Sequence, residues 1–329
     1  MLSIVIPTYN RNEKVLRLLN KIKTINKEYK LSVVVIDNNS DVSTEDFLRN
    51  KKYQFSEEFK IIRNNGNVGL GGNLINSFLN CQTQWMWLLG DDDLPLEDSI
   101  QKILNEIENT SEQDFLIKFN SEAGKFPNRN LEIKGIENLI DFCDDFGYYS
   151  NMVFISNSIF KTKIILDETF YMSNAIRTMA PHLVGIYRCV EKGFSIRVVN
   201  KFITEHGQPE NIQDKWDYER LILGLLYFND SEIDFKIKKK LLPKLLLNYL
   251  DGKKRFYRFL LLFPYTSSNG DRFFWSSFLL KTAALYSGFR FFYLIILGVI
   301  IRNKFINNFF KCVFKKYKHN KGNKIMFRN

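Results

Sequence analysis

Histidine and cysteine are scarce in this chain, and their scarcity narrows its chemistry. The 329 residues hold three histidines and four cysteines. The cysteines, at 81, 143, 189 and 312, form no CxxC pair and show no metal-ligand spacing. A cysteine-held metal is therefore excluded, and reduced thiols in a cytoplasmic setting are expected. Long hydrophobic runs are missing as well. The longest clean one, Phe291–Ile301, is eleven residues, short of the roughly 20 needed to span a bilayer. No basic stretch and apolar segment precede the first strand pattern, so no secretory signal is expected. Glycine loops for phosphates are absent where two common folds need them. The first strand does not run into G-x-G-x-x-G, and GxxxxGK[ST] occurs nowhere. A Rossmann dehydrogenase and a P-loop NTPase are thereby excluded. Finally, no acidic residue follows Asp271, whereas residues 272–329 carry twelve Lys or Arg. The net charge of +11 thus resides in the tail, and the body before it is close to neutral. Phe, Leu and Ile are interleaved with those cations. That mixture fits an anionic membrane surface better than a nucleic-acid partner, whose cations usually lie on a folded reading surface.

What is present is an alternation of strand and helix patterns over the first 120 residues. Leu2–Ile6, Leu31–Ile36, Phe59–Arg63, Trp85–Leu89 and Phe115–Phe119 read as buried strands. Helical spacing falls over Lys14–Ile25, Thr44–Asn50, Asn73–Cys81 and Leu96–Glu108. This order implies a mostly parallel sheet flanked by helices. In such sheets ligands bind outside the carboxyl ends of the strands. Polar residues collect at those ends: Pro7-Thr8-Tyr9-Asn10-Arg11, Asp37-Asn38-Asn39, Asn64-Asn65-Gly66 and Asp91-Asp92-Asp93. Three adjacent carboxylates repel one another, and a divalent cation held against a phosphate would relieve that. The plainer alternative is an acidic turn in which Asp93 or Asp98 caps the next helix.

Four of these segments resemble family 2 glycosyltransferases. They are Ser3–Arg11, Val33–Ser40 with its strand ending in Asp37-Asn38-Asn39-Ser40, Asn65-Gly66-Asn67-Val68-Gly69, and Gly90-Asp91-Asp92-Asp93. The resemblance covers about residues 1–120 and continues more weakly to about 205. It implies a GT-A fold and a nucleotide-sugar donor, and the subgroup with a G-D-D-D element includes bacterial O-antigen and capsule enzymes, abequosyltransferase-like proteins among them. It implies roles as well. Pro7, Tyr9 and Asn10 would line the nucleobase and ribose pocket, and Asp37 would accept a hydrogen bond from the base. Asn65, Gly69 and Asn73 would sit near the base, ribose or diphosphate. Asp91 and Asp93 would form a D-x-D pair binding Mn²⁺ or Mg²⁺, with Asp93 the direct ligand; Asp92 with Asp93 is the other register.

Where many members of the family have a Glu-Asp pair bearing the base for inverting transfer, this chain has Pro181-His182. His182 is then the expected general base, with an unperturbed pKa suited to proton transfer near neutrality. His206, Asp167 and Glu168 are further candidates.

The expected organisation is a nucleotide-sugar half over 1–120, an acceptor half over 121–215 and a helical, basic and aromatic region over 216–329. Helices are expected over Tyr218–Phe228, Lys236–Leu250, Lys253–Phe263, Phe273–Leu285 and Phe289–Ile301. The expected activity is metal-dependent transfer of a sugar to a glycan or lipid-linked glycan. It would take place on the cytoplasmic face of the bacterial inner membrane, where the protein would be peripheral, and would serve surface polysaccharide synthesis. A sugar nucleotidyltransferase and a non-catalytic nucleotide-sugar-binding scaffold are the alternatives.

Overall fold

A computed structural model describes residues 1–54, 58–121, 126–146, 150–205, 227–235, 237–240 and 272–309, with residues 224 and 312 in addition. The expected helix over Lys253–Phe263 and most of those over Tyr218–Phe228 and Lys236–Leu250 lie outside these residues. The chain divides into two compact units, one within residues 1–216 plus Ser231–Ile233, the other within the remainder of 217–329.

The first unit is built on an eight-stranded sheet. Its strands are β1 (Leu2–Thr8), β2 (Ser32–Asp37), β3 (Phe59–Arg63), β4 (Trp85–Leu88), β6 (Asp114–Asn120), β7 (Leu131–Lys134), β8 (Ser158–Lys161) and β9 (Ser195–Phe202). β5 (Leu94–Pro95) pairs antiparallel with β10 (Thr204–Glu205) in a separate two-stranded ribbon. The order across the large sheet is β3-β2-β1-β4-β8-β6-β9-β7. The first four strands are mutually parallel. Every residue of β1 and β4 is buried, as expected of strands covered on both faces by helices.

The sheet is mixed rather than parallel throughout. β8 runs antiparallel between β4 and β6, and β7 is an antiparallel edge strand on β9. Because β8 runs antiparallel to β4, it starts beside the carboxyl end of β4, so the residues just before β8 stand beside the aspartate triplet.

The helices of this unit are α1 (Asn12–Ile25), α2 (Thr44–Asn50), α3 (Gly69–Leu79), α4 (Ser99–Glu108), α5 (Gly135–Phe146), α6 (Ser150–Val153), α7 (Thr162–Leu166), α8 (Thr169–Asn174) and α9 (Pro181–Glu191). α1 buries Val15, Leu18, Leu19, Ile22 and Ile25, a single apolar stripe at helical spacing. α2 is started by Ser43, whose hydroxyl accepts the Asp46 amide at 3.0 Å. α3 approaches the rest of the fold so closely that a Cβ on Gly71 would lie 2.5 Å from the Ile176 carbonyl oxygen. The core between sheet and helices includes Ile4, Ile6, Val33, Val35, Trp85, Trp87, Leu89, Ile117 and Phe119.

In the second unit, α10 (Arg272–Ala283) and α11 (Phe289–Arg302) pack on each other. α11 buries Leu294, Leu297 and Ile301, while Phe289, Phe292, Ile296 and Val299 are exposed on its opposite face. Among the described residues no helix is long and apolar enough to cross a membrane.

Candidate active site

The carboxyl ends of β1 to β4 meet along one edge of the sheet, and their loops are stitched together by polar side chains. Thr8, last residue of β1, donates its hydroxyl to Asp91 Oδ2 at 2.7 Å. Arg11 reaches across to Asp91 Oδ1 at 3.0 Å and Asp92 Oδ2 at 3.2 Å. Asp93 accepts the Ser156 hydroxyl at 2.6 Å, and the same hydroxyl accepts the Gly90 amide at 2.9 Å. Gly90 leaves the room this requires, since a Cβ there would sit 3.0 Å from Asp93 Oδ2 and 3.2 Å from Ser156 Oγ.

Asp91 and Asp93 are buried and Asp92 is half-exposed. Burial pushes Asp91 up to about 6, against the lowering pull of the Arg11 guanidinium and with a further push from Asp92. The capping alternative does not hold for Asp98: it heads α4 without a side-chain capping bond and instead pairs with Lys102 at 2.8 Å.

The triplet offers hard oxygen donors suited to Mg²⁺ or Mn²⁺. Among the described residues no group of three or more His, Cys, Asp or Glu is arranged as a cage. A cation of this kind needs none, because one or two carboxylates suffice where substrate phosphates complete the shell.

The other expected site residues divide by environment. Pro7 is buried within β1 opposite Ile36, whereas Tyr9 stands exposed just beyond it. Asn10 adopts φ +55. Its amide donates to Ser40 Oγ at 2.9 Å, and its side chain both donates to Asp41 and accepts the Asp41 amide at 2.8 Å. Asn10 thereby clamps the β1 loop to the β2 loop. Asn65 is exposed. Gly69 opens α3 at φ +74, where a side chain would be strained. Asn73 is buried and works inside the protein: it donates toward the carbonyls of Thr8 and Ile36 at 3.4 and 3.3 Å and accepts from Asn64 at 2.9 Å.

Two expectations need correction. Asp37, expected to meet a base, is 0% exposed. Its Oδ1 accepts the Ser40 amide at 2.8 Å, and its Oδ2 accepts the Thr44 amide at 3.1 Å and Arg63 Nη1 at 3.3 Å. Both oxygens are spent on holding the β2 loop. His182, expected as the general base, is 2% exposed on α9. Its Nε2–H donates to the Val153 carbonyl at 3.1 Å, which leaves Nδ1 buried without a partner. Burial first, and the nearby Lys118 charge second, push it down to about 3. It is neutral at physiological pH and has no open face to an acceptor hydroxyl. Accordingly, His182→Gln is expected to leave the acid limb of a kcat/KM–pH profile where it is in the unaltered protein; a limb near pH 6.5 that disappears in the variant would restore the base assignment.

Glu168 is buried too, bound by Arg188 at 2.6 Å and by Lys192, so it is an internal anion of an ion-pair cluster. Asp167 is exposed, and His206 lies outside the described residues.

Several site residues escaped sequence reasoning. Arg63 is one: besides Asp37 it binds Asn39 Oδ1 at 2.9 Å and the Ser40 carbonyl at 2.8 Å. Alignment of strand ends could have found it, since Asp37 and Arg63 are register partners. Ser156 had no signal at all, because an isolated serine some sixty residues downstream of Asp93 looks like any loop residue.

Sheet order, the antiparallel insertion at β8 and the acidic turn at the carboxyl end of β4 together define an α/β protein of the GT-A class. The chain belongs to glycosyl transferase family 2, whose model matches residues 3–169, just over half of its length. It is 30% identical over 101 residues to abequosyltransferase RfbV of Salmonella typhimurium, a stretch covering 30% of each chain. The chain spans about a third of the length of the curated relatives it matches. Among solved structures it is similar to Staphylococcus aureus TarS 1-349 in complex with UDP-GlcNAc, with a TM-score of 0.61, 14% identity and coverage of 98% of this chain and 93% of that one. It is also similar to the mannosyltransferase PcManGT of Pyrobaculum calidifontis in complex with GDP-Man and Mn²⁺, with a TM-score of 0.52, 14% identity and coverage of 92% and 86%.

Proposed function

We propose that the protein is a metal-dependent glycosyltransferase. It moves a sugar from a nucleotide-sugar donor to a glycan or lipid-linked glycan in the synthesis of a bacterial surface polysaccharide. The observation that carries this reading is the acidic triplet at the carboxyl end of β4, with Asp91 tied to β1 through Thr8 and Asp93 tied to the segment before β8 through Ser156. Family membership supports it, as do the donor complexes of the two structural neighbours and the activity named for RfbV.

In this reading Asp93 would hold Mn²⁺ or Mg²⁺ directly, with Asp91 beside it. A bound cation supplies neutralisation of charge building on the leaving diphosphate. Arg11 balances Asp91 and Asp92, and Thr8 orients Asp91. Tyr9, the exposed ring at the end of β1, offers a face against which a nucleobase can stack. Asn10 and Asp37 act one step back, holding the loops that carry the pocket. Asn65, Gly69 and Asn73 place the β3–α3 loop beside it.

A thermal-shift panel of UDP-, GDP-, CDP- and TDP-sugars, with and without Mn²⁺, tests the reading. One nucleotide is expected to raise Tm by several degrees in a Mn²⁺-dependent way, which mass action requires of a ligand held well above its Kd. No shift with any donor, together with no donor hydrolysis, would overturn it.

The second unit supports a further part of the proposal, peripheral attachment to the cytoplasmic face of the inner membrane. The exposed stripe Phe289, Phe292, Ile296 and Val299, followed by exposed Phe305 and Phe309, is accompanied by a sequence that holds cations and no acids from residue 272 onward. An apolar stripe with basic flanks suits an anionic interface. The protein is expected to co-sediment with vesicles containing anionic phosphatidylglycerol and to stay in solution with neutral phosphatidylcholine. Phe292→Ser together with Ile296→Ser should weaken that binding by on the order of tenfold or more, given about 25 cal/mol per Å² of apolar surface. Equal binding to neutral vesicles, or none to either, would remove the membrane from the account.

A further inference from the structure

Lys118 is the least expected side chain in the core. It lies on β6 and is 1% exposed, and among the described residues no carboxylate stands within ion-pair distance of it. Burial without a counter-ion pushes the Lys118 amine well below its ordinary pKa, and such a head group is costly to bury unless its hydrogen bonds are made. Three are made. Lys118 Nζ donates to the Phe154 carbonyl at 2.7 Å, to Asn157 Oδ1 at 2.7 Å and to Ser158 Oγ at 2.8 Å. Every acceptor belongs to one five-residue segment, Phe154 to Ser158, and Ser156 is at its centre.

The same segment is fastened from other sides. Asn157 exchanges two hydrogen bonds with the Phe119 backbone, at 2.7 and 2.8 Å. Trp87 Nε1 donates to the Ser156 carbonyl at 2.8 Å, and His182 holds the Val153 carbonyl just ahead. What the segment presents to the site is one hydroxyl. It accepts from Gly90, at the start of the acidic turn, and donates to Asp93 at its end.

We infer that Lys118 is a positioning residue, which fixes the segment 154–158 so that the Ser156 hydroxyl sets the conformation of the Gly90–Asp93 turn. This deepens the proposed function and rests on its reading of Asp93 as the metal-side carboxylate. An apolar residue at 118 would fill the volume but release three acceptors at once, and the segment would lose its fixed height above the sheet. Ser156 would then drift from Asp93, whose own backbone is tied into the turn because its N–H donates to the Gly90 carbonyl at 3.3 Å. His182 fits the same arrangement as a neutral donor at the upstream end of the segment.

Amide hydrogen exchange on the full-length protein without ligand tests this directly, because the Gly90 N–H bonds to Ser156 itself. In Lys118→Met and in Ser156→Ala the Gly90 amide is expected to exchange on the order of tenfold faster. The Leu89 amide, held by Val5 at 2.9 Å, should be unchanged, and the double variant should be no faster than the quicker single one. Lys118→Gln, which keeps two donors, should restore part of the protection and serves if Lys118→Met fails to fold. Unchanged Gly90 exchange, effects that add in the double variant, or acceleration spread equally over β4 would each overturn the proposal. Mn²⁺ binding is followed in parallel by the loss of its free EPR signal, with UDP, GDP, CDP and TDP present. If the unaltered protein binds no Mn²⁺ while the exchange pattern is as expected, the metal reading fails and the positioning role of Lys118 stands.

Discussion

Asp93→Asn is expected to reduce sugar transfer by about 10²–10³-fold while leaving the protein folded. A cation at a leaving diphosphate is worth several kcal/mol of transition-state stabilisation, and each 1.36 kcal/mol is a factor of ten in rate. Asparagine keeps the shape and one carbonyl oxygen, so the Ser156 hydroxyl at 2.6 Å retains an acceptor and the turn from Gly90 is preserved. What is lost is the negative charge, and with it the affinity for a hard cation. The measurement is donor turnover across a Mn²⁺ titration, with Tm recorded alongside. Turnover equal to that of the unaltered protein, with the same Mn²⁺ dependence, would end the metal assignment for Asp93.

The second large effect is on stability, and it comes from Asp37. Asp37→Ala strips the acceptor from two backbone amides and from Arg63, all converging on a fully buried carboxylate. Removal of one partner leaves the others desolvated and unpaired, which costs more than the bond was worth. A loss of about 3 kcal/mol is expected, read from the urea midpoint at constant m-value. Because Asn10 is clamped to Ser40 and Asp41 in the same loop, donor affinity should fall with it. Asp37→Asn should lie between, since its Oδ1 can still accept the Ser40 amide. A variant as stable as the unaltered protein but weaker for the donor alone would return Asp37 to direct contact with the base.

These two aspartates show where sequence reasoning reached and where it stopped. Both stand at the ends of apolar strand patterns, and that position was legible because strand periodicity and the rule for parallel sheets are local and general. The strands β1 to β4 and the helices α1 to α4 follow from the same patterns. The difference between the two aspartates is not local. Asp37 turns inward because its register partner on β3 is Arg63 and because the chain after it folds back to offer two amides. His182 follows the same rule: Pro181 correctly marks a helix start, but only the packing of α9 decides that the ring faces Val153 and the core.

By itself, then, the amino-acid order determined the alternating α/β body, the polar strand ends, the acidic triplet after β4 and the cationic, apolar tail. Each of these depends on residues near one another in the chain. The tertiary structure decided which carboxylates are enclosed, that Ser156 stands against Asp93 on a segment held by Lys118, and that the His182 ring faces Val153. The reversal of β8 brings residues sixty positions apart within hydrogen-bonding distance, and no pattern within a strand or helix records the direction of the strand beside it.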